Sequence, residues 1–358
     1  MAYTTIDDPS AYFQTKLYTG NDSSRAITFD GNTDMQPDWS WFKARSEAYN
    51  HALFDSVRGT TKLIRSNQTT AEETHSTTLT AFSSNGFSLG GGDAFTNANN
   101  VTYASWHWKA GTTGSGTTTG SGTGKAYSYS VNTTSGFSIV KYGGNGTAGH
   151  TIPHHLGAAP SMVICKSITQ NRGYPIQHVG LTSAAYAIFL SQSNAEAEQF
   201  SSGSTNTWNN TAASSTVVTL GNNANNNRVD DNDQYIMYSF AEKQGFSKFG
   251  SYTGNANNDG PYIHLGFKPA FLVIKQSSSA RNWIMMDAKR SPFNIVTKYM
   301  KGNSNSAEET YNYVDFLSNG FKCRDSDTGA NASGGTYIYY AFAEQPFVTS
   351  TGVPATAR

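Results

Sequence analysis

The chain has 358 residues, and its 25 Lys+Arg balance 25 Asp+Glu, so the formal net charge is zero. That balance argues against nucleic acid as the main partner, because phosphate binding needs a clustered basic surface. The 20 Tyr and 20 Phe exclude general disorder, and no run reaches the ~20 apolar residues of a helical membrane span.

The opening stretch, Met1 to Asp8, has neither a basic nor an apolar region, so no secretory signal is read. The protein is expected to be made in a cytoplasm. Short aromatic runs joined by Gly- and Asn-rich connections point to an all-β fold, and no long helical periodicity competes with it. Self-comparison then divides the chain. An aromatic-x-Gly-Asn motif occurs at Tyr18–Asn21, Tyr142–Asn145 and Tyr252–Asn255. Each is followed by a proline and, six residues on, a lysine: Pro37 and Lys43, Pro160 and Lys166, Pro269 and Lys275. The apolar runs between Pro160 and Lys166 and between Pro269 and Lys275 predict strands covered on both faces. Each unit closes with Tyr-x-x-aromatic-x-aromatic, at Tyr103–Trp108, Tyr235–Phe240 and Tyr337–Phe342. Alternation along a strand puts Trp106/Trp108, Tyr238/Phe240 and Tyr340/Phe342 on core faces. Ser84-Asn85-Gly86-Phe87 and Ser318-Asn319-Gly320-Phe321 predict matching turns.

The expected architecture is therefore three repeated antiparallel β-sandwich modules of lectin-like or jelly-roll-like type. They span 1–110, 127–243 and 244–358, the last with a C-terminal tail. The Gly/Ser/Thr-rich stretch 111–126 between the first two is predicted to be a flexible linker. The first module would then move against a fused second and third.

Several constellations could carry chemistry, and recurrence weighs on each. Asp55 and Arg58 match Asp287 and Arg290, with both aspartates eighteen residues past the anchor proline; the second copy has His178 and Leu181 instead. A sugar site is one reading, but a catalytic pair is not expected at one place in two copies. A turn-holding ion pair is favoured. His150, His154 and His155 suggest a metal, but Pro153 breaks any helix that would stack the first two, and His155 recurs as His264. Asp230-Asp231-Asn232-Asp233 and Asp325-Ser326-Asp327 are oxygen-rich loops of the kind calcium uses. They lack the full EF-hand spacing and read better as solvated turns. Glu72-Glu73 and Glu308-Glu309, each inside Ala-Glu-Glu-Thr, resemble glycosidase acids only superficially, since adjacent residues do not flank a sugar. A short exposed turn of helix is expected there. Cys165 and Cys323 are expected to be reduced, buried hydrophobes. No nucleophile elbow, P-loop or dinucleotide fingerprint is present. No catalytic residues, metal or cofactor are assigned, and no ligand-binding residues can be named.

The run of Tyr18–Asn21, Pro37–Lys43, His51–Gly59 and Tyr103–Trp106 resembles a repeat module of uncharacterised virion proteins from marine phages and cyanophages. The likeness covers nearly the whole chain in three passes and is clearest in the first. The second pass lacks the Asp-x-x-Arg and Ser-Asn-Gly-Phe elements. The resemblance implies a tail, fibre or capsid protein of a tailed phage, with no activity and no binding residues carried over. The expected partners are other virion proteins and a host-surface glycan, in a homo-oligomer, with a trimer foremost. A purely structural decoration protein is the alternative, and a glycan-degrading enzyme a third reading.

Overall fold

Nearly every residue of the anchor strands is buried, including all of Trp39–Ala44 and Met162–Ser167. A strand can be apolar on both sides only if both faces of its sheet are covered, and the layers of the computed structural model supply that cover. The structure describes residues 2–199, 206–228 and 233–356.

The first segment contains β1 (Phe13–Thr19), β2 (Arg25–Thr28), β3 (Trp39–Ala44), β4 (Ala52–Asp55), β5 (Gly59–Ile64), β6 (Glu73–Thr74), β7 (Leu79–Ser83), β8 (Gly86–Leu89) and β9 (Thr102–Trp108). They form one antiparallel sheet in the order β1-β9-β3-β4-β5-β6 and a second in the order β2-β8-β7. The second segment contains β10 (Thr112–Thr117), β11 (Thr119–Gly120), β12 (Ala126–Asn132), β13 (Phe137–Gly143), β14 (His150–Pro153), β15 (Met162–Ser167), β16 (Pro175–His178), β17 (Tyr186–Phe189), β18 (Ala197–Glu198), β19 (Val217–Leu220) and β20 (Gln234–Phe240). Its sheets run β10-β12-β13-β20-β15-β16-β17-β18 and β11-β14-β19. The third contains β21 (Ser247–Thr253), β22 (Tyr262–His264), β23 (Phe267–Gln276), β24 (Ile284–Asp287), β25 (Val296–Lys301), β26 (Glu309–Leu317), β27 (Gly320–Cys323) and β28 (Thr336–Pro346), in one sheet ordered β21-β28-β23-β24-β25-β26-β27-β22.

Register follows the sequence anchors. Trp41 pairs with Trp106, Ile164 with Tyr238 and Val273 with Tyr340. Tyr18, Tyr142 and Tyr252 pair with Tyr103, Tyr235 and Tyr337. In each of these three pairs the rings stack, with centroids 5.2, 5.4 and 5.1 Å apart. Gly86 and Gly320 open β8 and β27, where a side chain would collide with the carbonyl oxygens of Ile27 and Ile263.

One face of each large sheet packs locally. Phe42 and Phe54 meet Ile27, Phe87 and Leu89 in the first segment; Val163, Cys165 and Met237 meet Ile152, Val218 and Leu220 in the second. The opposite faces converge. Trp39, Trp41, Trp106 and Trp108 share one core with Ile139, Ile164, Tyr238 and Phe240 and with Phe271, Val273, Tyr340 and Phe342. Trp39 stacks on Tyr238 at 4.5 Å, and Phe13 on Phe342 at 5.3 Å. Trp106, Tyr238 and Tyr340 are buried as expected, but in a core the three segments share.

Two expectations need correction. The Gly/Ser/Thr stretch is no flexible linker: residues 112–117 are β10, paired residue for residue with β12. Its glycines lie opposite tyrosines, Gly114 with Tyr129 and Gly116 with Tyr127, and a Cβ at either would strike the facing ring. With that strand in place and a shared core, the first segment is fixed against the others. Ala-Glu-Glu-Thr is likewise not helical, since Glu73 and Glu309 begin strands β6 and β26.

Candidate functional site

The turns after β4 and β24 place the Asp–Arg pairs at segment boundaries. Asp55 accepts from the backbone amides of Val57 and Arg58 at 3.1 and 2.8 Å and from Arg58 Nε at 2.5 Å. Asp287 accepts from the Arg290 amide at 2.8 Å and from Arg290 Nε at 2.5 Å. All four side chains are almost wholly buried. These are the turn-holding ion pairs favoured from the spacing, with an added role. Tyr238 of the second segment donates its hydroxyl to Asp55 Oδ2 at 2.7 Å, and Trp106 of the first donates Nε1 to Asp287 Oδ2 at 3.1 Å. At the corresponding place in the second segment, His178 Nε2 lies 3.1 Å from the Tyr339 carbonyl of the third. Burial pushes the His178 imidazole down to about 4, so it is neutral near pH 7. The Tyr340 hydroxyl, buried at the position of Trp106 and Tyr238, has no hydrogen-bond partner among the described residues.

A second set of bonds closes the same cycle. The amide of Glu72 donates to Ile168 O, that of Glu196 to Ser277 O, and that of Glu308 to Arg45 O. Each joins a different pair of segments. The anchor lysines support these joints. Lys166 Nζ reaches Thr69 O of the first segment at 3.1 Å, and Lys275 Nζ reaches Ser193 O of the second at 3.1 Å. Burial pushes both ammonium groups down to about 7, and that of Lys43 to about 8. The carboxylates of the Ala-Glu-Glu-Thr motifs are engaged rather than poised across a gap: Glu72 with Arg58, Glu73 with Arg65 and His75, Glu308 with Arg45, and Glu309 with Lys301 and Tyr299.

The histidines do not converge. His150 lies 3.1 Å from Asn227 Oδ1 and 2.6 Å from Thr118 Oγ1, and His154 Nε2 lies 3.1 Å from Ser214 O. His155 stacks on Tyr129 at 3.9 Å. Among the described residues no group of three His, Cys, Asp or Glu could hold a metal ion. Asp325 and Asp327 accept from the amides of Asp327 and Gly329, as turn residues do. Asp230, Asp231 and Asn232 lie outside the described residues. Cys165 and Cys323 are free and buried.

A groove that the sequence did not announce lies between the first and third segments. Its volume is about 390 Å³. One wall is β1 with Asp8, Ser10 and the 30–32 loop; the other is Lys268, Ala270, the turn residues Ala288, Lys289 and Pro292, and Ala343 with Glu344. Lys289 pairs with Asp30 at 3.3 Å and Lys268 with Glu344 at 3.2 Å. Thr15 lines the groove, and its Oγ1 is buried with no hydrogen-bond partner among the described residues. Phe293, next in the chain after Pro292, is 77% exposed. The corresponding positions elsewhere are filled. In the third segment the edge of β21 is met by Gly180, where a Cβ would lie 3.0 Å from both Gly250 O and Ser251. In the second, the edge of β13 is covered by β12. No sequence signal pointed here, because the groove belongs to neither segment alone.

All six tryptophans are buried, so none offers a surface stacking platform. A family model described as Domain of unknown function (DUF7483) matches residues 8–346. No curated protein and no solved structure matches the chain.

Proposed function

The chain belongs to the DUF7483 family, and we propose that it is a structural protein of a tailed-phage particle that also adheres to host-surface glycan. In this reading the three segments are diverged copies of one β-sandwich module. The observation that carries it is the closed cycle of corresponding bonds, Glu72 to Ile168, Glu196 to Ser277 and Glu308 to Arg45, which locks three modules into one block. A rigid block with a zero net charge and a polar, weakly charged surface suits a particle component packed beside many neighbours. The resemblance of the anchors to virion repeat modules gives the particle its place in the proposal. The groove gives the adhesive part a site. The cycle also suggests that one chain supplies by itself the threefold arrangement expected of three chains.

One observation favours a purely structural decoration protein: the aromatic residues lie mainly in the core, with only Tyr262 and Phe293 strongly exposed among the large rings of the described residues. Two measurements separate these readings. Mass spectrometry of purified particles should detect the chain in stoichiometric proportion to known structural proteins; its absence would remove the particle assignment. A glycan array probed with the full chain should show binding if the adhesive part holds, and silence would leave decoration alone.

A further inference from the structure

We infer that β10 is a docking edge for a second copy of this chain, the two β10 strands pairing antiparallel about a twofold axis through Ser115. The eight-stranded sheet of the second segment then continues into that of the partner.

A sheet edge is a template for another strand, so proteins shorten, charge, bulge or cover their edges. The other edges among the described residues follow that rule. Strands β6, β11 and β18 have two residues each and β22 three. Lys16, Arg25 and Lys248 put charge on β1, β2 and β21. The register of β7 shifts between Leu79 and Ala81, and none of the four residues of β19 is exposed. In contrast, β10 is six residues long with five of them exposed, and it pairs with β12 without a bulge. Its sequence, Thr-Thr-Gly-Ser-Gly-Thr, has neither a charge nor a proline.

The register shows which backbone groups are free. Just past the strand, the Thr118 amide donates to Lys125 O. Bonding alternates along an antiparallel pair, so Thr112, Gly114 and Gly116 turn their amides and carbonyls toward β12. Thr113, Ser115 and Thr117 turn theirs away from the sheet.

Three features select a second copy over a foreign strand. The outward row Thr113, Ser115, Thr117 reads the same in both directions. Rotation about Ser115 sets Thr113 opposite the partner's Thr117 and Ser115 opposite itself, giving paired backbone bonds at each position with hydroxyl residues facing one another. Next, an uncharged strand meets its own copy without the like-charge repulsion that the edges with Lys16 or Lys248 would suffer. Finally, the same rotation sets Gly114 opposite the partner's Gly116, at the pairs where Cα atoms come closest, about 4.5 Å. The tips of Tyr129 and Tyr127 lie over these glycines, where a Cβ would strike them, and the bare backbone leaves room at the seam for the rings of both copies.

The test is sedimentation velocity of the full chain from about 1 to about 500 µM, a range that brackets micromolar to submillimolar affinity. A reversible species of twice the 38.6 kDa chain mass should grow with concentration. In concentrated samples hydrogen exchange should slow at the amides of Thr113, Ser115 and Thr117 and stay unchanged at Gly114 and Gly116. Ser115→Lys and Ser115→Glu should each weaken the dimer about tenfold or more, since like charges then meet across the axis. Mixing the two variants should restore it. Ser115 is exposed, so neither change should move the melting temperature of dilute samples. Tyr262→Lys, on the edge strand β22, should leave the dimer intact. A chain that stays monomeric throughout, or whose self-association ignores both Ser115 variants, would overturn the inference. So would a trimer, or a mixture of the variants that fails to reassociate, because either outcome rules out twofold pairing at Ser115.

Discussion

Replacing Asp55 with Ala tests whether the three segments stabilise one another. Asp55 accepts four hydrogen bonds, from the amides of Val57 and Arg58, from Arg58 Nε and from the Tyr238 hydroxyl. Its removal leaves the Arg58 guanidinium, 1% exposed, with Glu72, two carbonyls and the Tyr238 hydroxyl at 3.5 Å as partners. Breaking a buried pair by deleting one member costs about 3–5 kcal/mol, a large part of a typical domain's stability of about 5–15 kcal/mol. Asp287→Ala should cost a similar amount, because Arg290 and Trp106 lose the same acceptor. Tyr238→Phe removes one hydrogen bond to a charged group, about 1.5–3 kcal/mol. His178→Ala loses a neutral hydrogen bond and should cost less than either aspartate. Urea denaturation followed by tryptophan fluorescence reads these values directly, since Trp39, Trp41, Trp106 and Trp108 sit in the shared core. Asp55→Ala and Tyr238→Phe should be non-additive by at least about 0.5 kcal/mol, although the residues are 183 positions apart. A single transition that shifts as a whole is expected. If Asp55→Ala moves only one of several resolved transitions, or costs under about 1 kcal/mol, the cycle does not couple the segments.

Other outcomes follow from features of the same core. Lys43, Lys166 and Lys275 have folded-state values near 7 to 8 against about 10.5 when unfolded, so between pH 7 and 9 the unfolded chain binds more protons. Stability should therefore rise over that window, by on the order of 1 kcal/mol per lysine; Lys166→Met should flatten the rise in urea midpoints, and a fall with pH would contradict the assignment. Burial pushes both thiols up to about 12, so Ellman's reagent at pH 8 should react with neither Cys165 nor Cys323 until urea unfolds the chain. Gly114→Val should destabilise the β10–β12 hairpin because its Cβ would meet the Tyr129 ring 2.5–2.7 Å away; hydrogen exchange at β10 amides should accelerate, and unchanged protection would refute the packing role.

How much of this was legible in the sequence depended on where the information lay. The proline, lysine and tyrosine anchors were readable because each recurs at fixed spacing, and they fall at matching registers in β3/β9, β15/β20 and β23/β28. The Asp-x-x-Arg turns were readable as ion pairs because both partners are local. Their third partners, Tyr238 and Trp106, were not, since nothing in a turn sequence names a residue far along the chain. β10 was misread for a related reason. Thr-Gly-Ser-Gly has the composition of a linker, and the reason for its glycines is written in Tyr127 and Tyr129 of the facing strand. Glu72 and Glu308 were placed on helix because the motif alone suits one, whereas their amides bond across to neighbouring segments. The groove escaped notice because its walls come from opposite ends of the chain.

If the three segments are copies of one module, as proposed, carrying them on one polypeptide has a consequence that three separate chains could not share. In a homotrimer any substitution appears three times, so a cleft is open at every interface or at none. Here each segment can diverge alone. His178 can replace an aspartate at one joint, Gly180 can seal a second cleft, and the first can stay open. The price of that freedom is valency: with the groove open at a single one of these three joints among the described residues, any avidity for a repetitive surface must come from the number of chains displayed together.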